Sequence, residues 1–326
     1  MSKKTILYLS VLFVVLLAVY LIGNMTDRTV QRKTYLYDID TTQVNYFHIV
    51  SPDNGEVTLE IVNDVWRITS PIDFPAAERN VHELLNKLSE LEIESVVTNR
   101  SGMQSEYQVD STGTIVEAKA GGKLVVSCIM GKTSSTYRHT YFRKNNSNDI
   151  YMIKGSFKFY MNRKLSDWRN KVILEINKDA IESFSLTYPK ERITVTMEDT
   201  LWRADNGKEN FIATRKAVNP LLNYVAKLRA ADFFDPEESA QPPDFSNADC
   251  VMDITFDGGK TQSLLLMKEN KDAKKYYIKK GDSDIVYLIY EGTAKILMKS
   301  MADFKMEDKP AEKTTPPPRT PKKLDE

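Results

Sequence analysis

The feature that most constrains this chain is an internal repeat, because two copies of one pattern call for two copies of one fold. Trp66-Arg67 returns as Trp202-Arg203, 136 residues further on. The stretch VHELLNKLSEL from Val81 to Leu91 returns as VNPLLNYVAKL from Val218 to Leu228, and Gly121-Gly122-Lys123 returns as Gly258-Gly259-Lys260, both at an offset of 137. Asp149-Ile150-Tyr151 faces Asp284-Ile285-Val286-Tyr287, and Ser166-Asp167-Trp168-Arg169 faces Met301 to Lys305 more loosely. Matches in one order at nearly one offset predict a single module of about 136 residues, used twice.

Each copy reads as an antiparallel sheet with a helix on one face, an α+β fold. A first strand (Tyr46 to Val50; Phe184 to Tyr188) leads to an alternating one (Val57 to Ile61; Arg192 to Met197). A tight turn at Asn63-Asp64, or Glu198-Asp199, then opens a third strand bearing the Trp-Arg pair. Alternation between short polar turns marks antiparallel pairing with one buried face. Val81, Leu84, Leu85, Leu88 and Leu91 follow at helical spacing. Their counterpart is expected to start at Asn219-Pro220, with the asparagine as N-cap. Four more strands close each copy. Two flank the glycine pair, whose access to φ > 0 suits a hairpin turn. Two follow as HTYFRK and IYMIK in the first copy, and as KKYYIKK and IVYLIY in the second. Module 1 is placed at residues 36–170 and module 2 at 171–305, with Trp66, Trp202, Trp168, Gly121, Gly122, Gly258 and Gly259 as the anchors of the repeat.

The flanks read differently. Thr5 to Gly23 carries no charge, and at 1.5 Å per residue such a helix reaches about 28 Å, enough to cross a hydrocarbon core. No small-residue cleavage site follows at Leu21 to Asn24, so residues 1–23 are expected to be a cytoplasmic head and an uncleaved transmembrane anchor. Lys3 and Lys4 hold the head inside, although Arg28, Arg32 and Lys33 oppose them from the far side. Residues 24–35 form a polar tether, and the proline- and charge-rich tail at 306–326 is expected to be disordered.

At this point the Trp66-Arg67 strand, the LLNKLSEL helix, the GGK hairpin, MGKTSSTYRHTYFRK and LSDWRNK together resemble the domain of unknown function 4340 family, across nearly all of Tyr37 to Phe304. The resemblance implies a protein anchored at the bacterial cytoplasmic membrane and facing outward. It also implies a gene near ABC transporters similar to those linked to gliding motility. It carries no established activity and no active-site residues, so no catalytic role passes to any position here.

The residues themselves give little chemistry. Lys plus Arg and Asp plus Glu both number 45, so no whole-chain field favours nucleic acid as a partner. Gly131-Lys132-Thr133-Ser134 ends like a phosphate-binding loop, but Val126 stands where the motif needs another glycine. His48, His82 and His139 share no metal-ligand spacing. Glu90, Glu92 and Glu94, and likewise Asp235, Glu237 and Glu238, read as solvated loop edges. Cys128 and Cys250 lie in apolar stretches at non-equivalent repeat positions and read as buried free thiols. No catalytic residue, metal site or cofactor is therefore expected. The surface that stands out is aromatic and basic: Tyr137, His139, Tyr141 and Arg143 on one face of the strand Tyr137 to Lys144, with Tyr276 and Tyr277 in the second copy.

The expected function is that of a non-enzymatic, extracytoplasmic accessory subunit of an ABC-type transporter or related envelope complex. Its partners are then the membrane and a membrane protein complex, with no small-molecule cofactor. The alternatives are a ligand-binding protein recognising envelope glycan or lipid between the modules and, behind it, a hydrolase built from dispersed carboxylates and histidines.

Overall fold

A computed structural model of the chain describes residues 12–18, 35–234, 243–270 and 274–305. The chain divides into two compact units, Met1–Arg169 and Asn170–Glu326.

In the first unit β1 (Val44–Ser51), β2 (Gly55–Val62), β3 (Val65–Ser70) and the short β4 (Phe74–Pro75) form a meander. The helix Glu78–Ser89 follows, then β5 (Ile93–Thr98), β6 (Thr114–Ala120), β7 (Lys123–Thr133), β8 (His139–Lys144) and β9 (Ile150–Lys154). The nine strands form one sheet in the order β4-β3-β2-β1-β6-β7-β8-β9-β5, and every pairing is antiparallel. The path explains the order. The meander runs from the middle of the sheet to one edge, and the helix carries the chain to the opposite edge at β5. The chain then returns to the middle, where β6 pairs with β1.

Period and burial agree along this path. The helix buries Val81, Leu84, Leu85 and Leu88 against a sheet face carrying Phe47, Leu59, Trp66 and Ile68. Each such aliphatic side chain contributes roughly 1.5–3 kcal/mol on burial. Phe47 stacks on Trp66 with ring centroids 5.7 Å apart. Trp168, in a short turn of helix at Leu165–Trp168, is fully buried in the same core.

The second unit repeats the sheet. After β10 (Val172–Glu175) come β11 (Ile181–Thr187), β12 (Arg192–Glu198), β13 (Leu201–Asp205) and β14 (Asn210–Ile212). The helix Arg215–Ala226 leads to β15 (Lys227–Arg229), β16 (Asp232–Phe233), β17 (Cys250–Phe256), β18 (Lys260–Lys268), β19 (Lys275–Lys280) and β20 (Tyr287–Tyr290). The order β14-β13-β12-β11-β17-β18-β19-β20-β16 matches the first sheet strand for strand, and β10 pairs with β15 separately. Trp202 meets Phe184 at 6.0 Å, as Trp66 meets Phe47. The architecture is α+β with antiparallel sheet predominant and few helices.

Several local expectations need correction. The second helix begins four residues before Asn219: Thr214 is its N-cap, accepting the Ala217 N–H at 3.3 Å, and Pro220 lies inside it. The β12–β13 turn is Asp199-Thr200 rather than Glu198-Asp199, because Glu198 still pairs with Leu201. Tyr137 is not in a strand; it sits in a turn at φ 59°, and β8 starts at His139. Each sheet also has two edge strands beyond the seven expected, β4 and β5 in the first and β14 and β16 in the second. The glycine hairpins do turn in the left-handed region. Gly121 and Gly122, at φ 55° and 81°, join Ala120 to Lys123, whereas Asp257, Gly258 and Gly259 span Phe256 to Lys260 with one residue more.

Among the described residues no helix is long and apolar enough to cross a membrane. Residues 12–18 are helical and exposed. The remainder of the expected span at Thr5 to Gly23, the tether up to residue 34, the Asp235, Glu237 and Glu238 group and the tail 306–326 lie outside the described residues.

Candidate functional site

The aromatic-basic face is partly occupied by its own chain. Alternation along β8 buries Thr140 and Phe142 and leaves His139, Tyr141 and Arg143 on the other side. There Tyr141 packs on Tyr107 with ring centroids 4.6 Å apart. The Arg143 guanidinium donates to the carbonyls of Val109, Asn145 and Ser147 at 2.8, 2.9 and 3.0 Å. Val109 is fully buried there with Ile129 and Ile150, a second small core on this side of the sheet. Arg143 is thus a clamp on the loops, while Tyr137, 80% exposed, remains accessible. In the second unit Tyr276 and Tyr277 are neighbours in β19 and so point to opposite faces. Tyr277 meets Phe234 edge-on at 5.6 Å, and burial together with Glu269 raises its hydroxyl above the ordinary tyrosine range.

The same covering segment walls a cleft of about 340 Å³ in the first unit. On one side the β1–β2 turn is pinned to Asn162, which follows the short helix Lys158–Met161. The Asn162 side-chain oxygen accepts from the Ser51 hydroxyl and from Asn54 Nδ2, and its Nδ2 donates to Asp53 Oδ2 at 2.7 Å. Lys158 Nζ lies 3.4 Å from the same Asp53 oxygen. The Asn162 hydrogen bond, followed by the Lys158 charge, holds the Asp53 carboxyl below the usual carboxylate range.

On the other side, the loop before β6 lies directly on β7. A Cβ at Gly131 would stand 2.2 Å from the Tyr107 carbonyl, and one at Gly113 would stand 2.3 Å from the Gln108 carbonyl, so glycine is required at both. Gln108 itself takes φ 55°, and the Lys132 N–H donates to Tyr107 O at 3.1 Å. Lys132 Nζ sits 5.4 and 5.9 Å from the Tyr107 and Tyr141 ring centroids. Met130 and Met161 supply apolar lining.

Sequence reasoning missed this cleft. Gly131-Lys132-Thr133 closes β7 and is followed by a turn, not by the helix a phosphate loop needs. The Asp53–Asn162 contact spans 109 residues, with no local pattern to announce it.

Other polar groups are distributed over the sheet faces. His48 Nε2 lies 2.8 Å from Glu56 and its Nδ1 lies 3.9 Å from Glu117, while His82 is exposed on its helix. Lys154 bridges Glu92 and Glu94 at 2.6 and 3.4 Å. Arg67 pairs with Asp73 at 2.7 Å, and at the equivalent place Arg203 donates to Glu198 at 2.6 Å and to Asn210 at 2.9 Å. The latter group lines an open groove of about 440 Å³ on the outer face of β12 and β13. Burial raises the thiols of Cys128 and Cys250, fully buried in their strands, and the hydroxyls of the half-buried Tyr37 and Tyr188, which donate to the carbonyls of Ser127 and Lys299; none of the four lines the cleft or the groove. Among the described residues no group of three or more His, Cys, Asp or Glu side chains is arranged to hold a metal ion.

One family model, described as domain of unknown function (DUF4340), matches residues 66–247, more than half of the chain. No curated protein and no solved structure matches it.

Proposed function

The chain belongs to the domain of unknown function (DUF4340) family, and on that premise we propose that it is a binding protein without catalysis of its own. In this reading residues 1–23 hold it at the bacterial cytoplasmic membrane, facing outward, as an accessory subunit of an ABC-type transport complex.

The observation that carries the binding role is the duplicated arginine. Arg67 and Arg203 follow the core tryptophan of their strands, so alternation turns both guanidinium groups to the outer, solvated sheet face. Each meets a carboxylate that is itself largely open to solvent, Asp73 at 74% and Glu198 at 52% exposure. A planar guanidinium held on a rigid strand suits recognition of a polar protein surface. Catalysis instead draws on perturbed groups converging in a cleft, and the strongly raised Cys128 and Tyr188 line neither the cleft nor the groove. The uncharged run Thr5 to Gly23 supports the anchor. The transporter as partner rests on the family resemblance.

The test is cross-linking in native membranes followed by purification of the intact protein, of a form lacking residues 1–23, and of the double variant Arg67→Glu/Arg203→Glu. A permease and its ATPase are expected with the intact protein and are expected to be lost with the double variant. Extraction of the intact protein as a lone monomer after cross-linking overturns the accessory role.

A further inference from the structure

We infer that the cleft of the first unit is a binding site for a neutral sugar ring, a site separate from the outer-face arginines and independent of the accessory role. Three features lead there.

The first is construction. The turn at Asp53 and Asn54 is tied to Asn162 by hydrogen bonds from Asn54 Nδ2 to the Asn162 carbonyl at 3.0 Å and from Asn162 Nδ2 to Asp53 at 2.7 Å. The opposite wall is fixed by Gly113 and Gly131, which admit the Gln108 and Tyr107 carbonyls at distances that any side chain would block. Walls held in this way present their polar groups in set positions, which reduces the ordering needed on binding.

The second is the alternation of donors and acceptors around the rim. Asp53 is an acceptor, Lys158 and Lys132 are donors, the Thr133 hydroxyl is both, and the Thr112 hydroxyl, which donates to Asp110, remains an acceptor. A sugar hydroxyl donates one hydrogen bond while accepting others, so it satisfies a carboxylate and an ammonium side by side. An anion accepts only. It would meet the Asp53 carboxylate unfavourably and would compete with it for Lys158, already 3.4 Å from that carboxylate. Lys132 is likewise held over two tyrosine rings rather than aimed at a common point with Lys158.

The third is the lining. Pro52 at the rim is exposed and offers apolar surface to the C–H face of a ring, while the nearly buried Met130 and Met161 close the floor beneath it. The volume of about 340 Å³ sits at the small end of ligand pockets, which run from roughly 300 to 1,000 Å³.

The experiment is saturation-transfer NMR on the full chain in detergent micelles, with glucose and N-acetylglucosamine as probes and inorganic phosphate as the anion control. Transfer to the ring protons of at least one sugar is expected. It should fall by roughly an order of magnitude in Asp53→Ala, since a hydrogen bond to a charged group is worth about 1.5–3 kcal/mol. Asp53 is largely exposed, and the turn stays tied to Asn162 through Ser51 and Asn54 when its carboxylate is removed, so the variant should keep a thermal midpoint near the native one, which is measured alongside. Absence of transfer to both sugars overturns the inference, as does transfer that Asp53→Ala leaves unchanged. So does binding of phosphate alone, read by phosphorus line broadening that Lys158→Ala abolishes.

Discussion

Arg163 shows how a charge is accommodated inside a sheet-and-helix core. Its side chain is 5% exposed, donates to Glu83 at 2.7 Å and stands 5.2 Å from the Trp168 ring centroid. Its Nη1 is buried with no hydrogen-bond partner among the described residues. Glu83 is better placed, being partly exposed and also in contact with Arg79 at 3.0 Å. The two partners should therefore respond unequally to mutation. Glu83→Ala strands a buried cation and is expected to cost about 3 kcal/mol, whereas Arg163→Met, similar in length and apolar, should cost under about 1 kcal/mol. Urea unfolding of both variants checks the order. The Arg163 hydrogen bond, opposed by desolvation and assisted by Arg79, lowers the Glu83 pKa in the folded protein. A depressed folded pKa gives stability that is present above the unfolded value, about 4.3, and is lost as pH falls through the folded one. The native protein should thus lose more stability than Arg163→Met below about pH 4.3, read from urea midpoints across an acid series. The cysteines give a simpler test. Cys128 and Cys250 are fully buried and unbridged, and burial pushes the Cys250 thiol up to about 12. Neither should react with a chromogenic disulfide reagent until the protein is unfolded, and then both should.

The two helices differ where they begin. Thr214 caps the second through its hydroxyl, while Ala77 offers the first no side-chain cap. Thr214→Ala should cost about 1 kcal/mol, and Ala77→Ser should gain a similar amount if the serine reaches the N2 or N3 amide. Pro220 is exposed inside the second helix, where it removes a backbone donor and crowds the preceding turn. Pro220→Ala should raise the thermal midpoint by an amount worth about 1 kcal/mol or more, measured by circular dichroism. These contrasts also show what local sequence can reveal. The meander strands were legible because Phe47, Ile49, Leu59, Trp66 and Ile68 alternate with polar residues, and the first helix because its leucines recur at helical spacing. The start of the second helix was misplaced because Asn219-Pro220 imitates a helix start while Thr214 provides the cap. β5 escaped because it lacks alternation, Glu94 to Val96 all being exposed, and it is defined by pairing with the distant β9. The cleft escaped for the same reason: Asp53, Lys158 and Asn162 meet only once the short helix packs beside the β1–β2 turn.

A chain built twice from one sheet order raises the question of whether each copy carries its own stability. Each unit has a nine-stranded antiparallel sheet, a 12-residue helix across one face and a tryptophan buried against a phenylalanine. Both are near the usual domain size, at which a chain buries about two-thirds of the surface its unfolded form exposes. The first closes on itself: the Ala77 N–H donates to Trp168 O at 2.7 Å, and Asn80 Nδ2 donates to Asp167 O at 2.6 Å, so the end of the unit is fastened to its helix. The second closes in a comparable way, with the Thr214 N–H donating to Phe304 O at 3.2 Å and Phe304 packing on Phe184 at 6.1 Å. Among the described residues, each sheet is built from strands of its own unit. Residues 35–169 and residues 170–305, expressed as separate chains, are therefore expected to fold. Each should show near-ultraviolet circular dichroism, from Trp66 and Trp168 in the first and from Trp202 in the second, and a cooperative urea transition. Trp168 gives a control within the first fragment. Ending that fragment at residue 163 removes a fully buried indole and the Ala77 contact. Loss of a buried tryptophan costs about 3–5 kcal/mol, a large share of the 5–15 kcal/mol that holds a domain together. The shorter fragment should accordingly unfold at much lower urea or fail to fold, while residues 35–169 remain cooperative. A broad, non-cooperative melt of both full-length units would instead make the intact chain one folding unit.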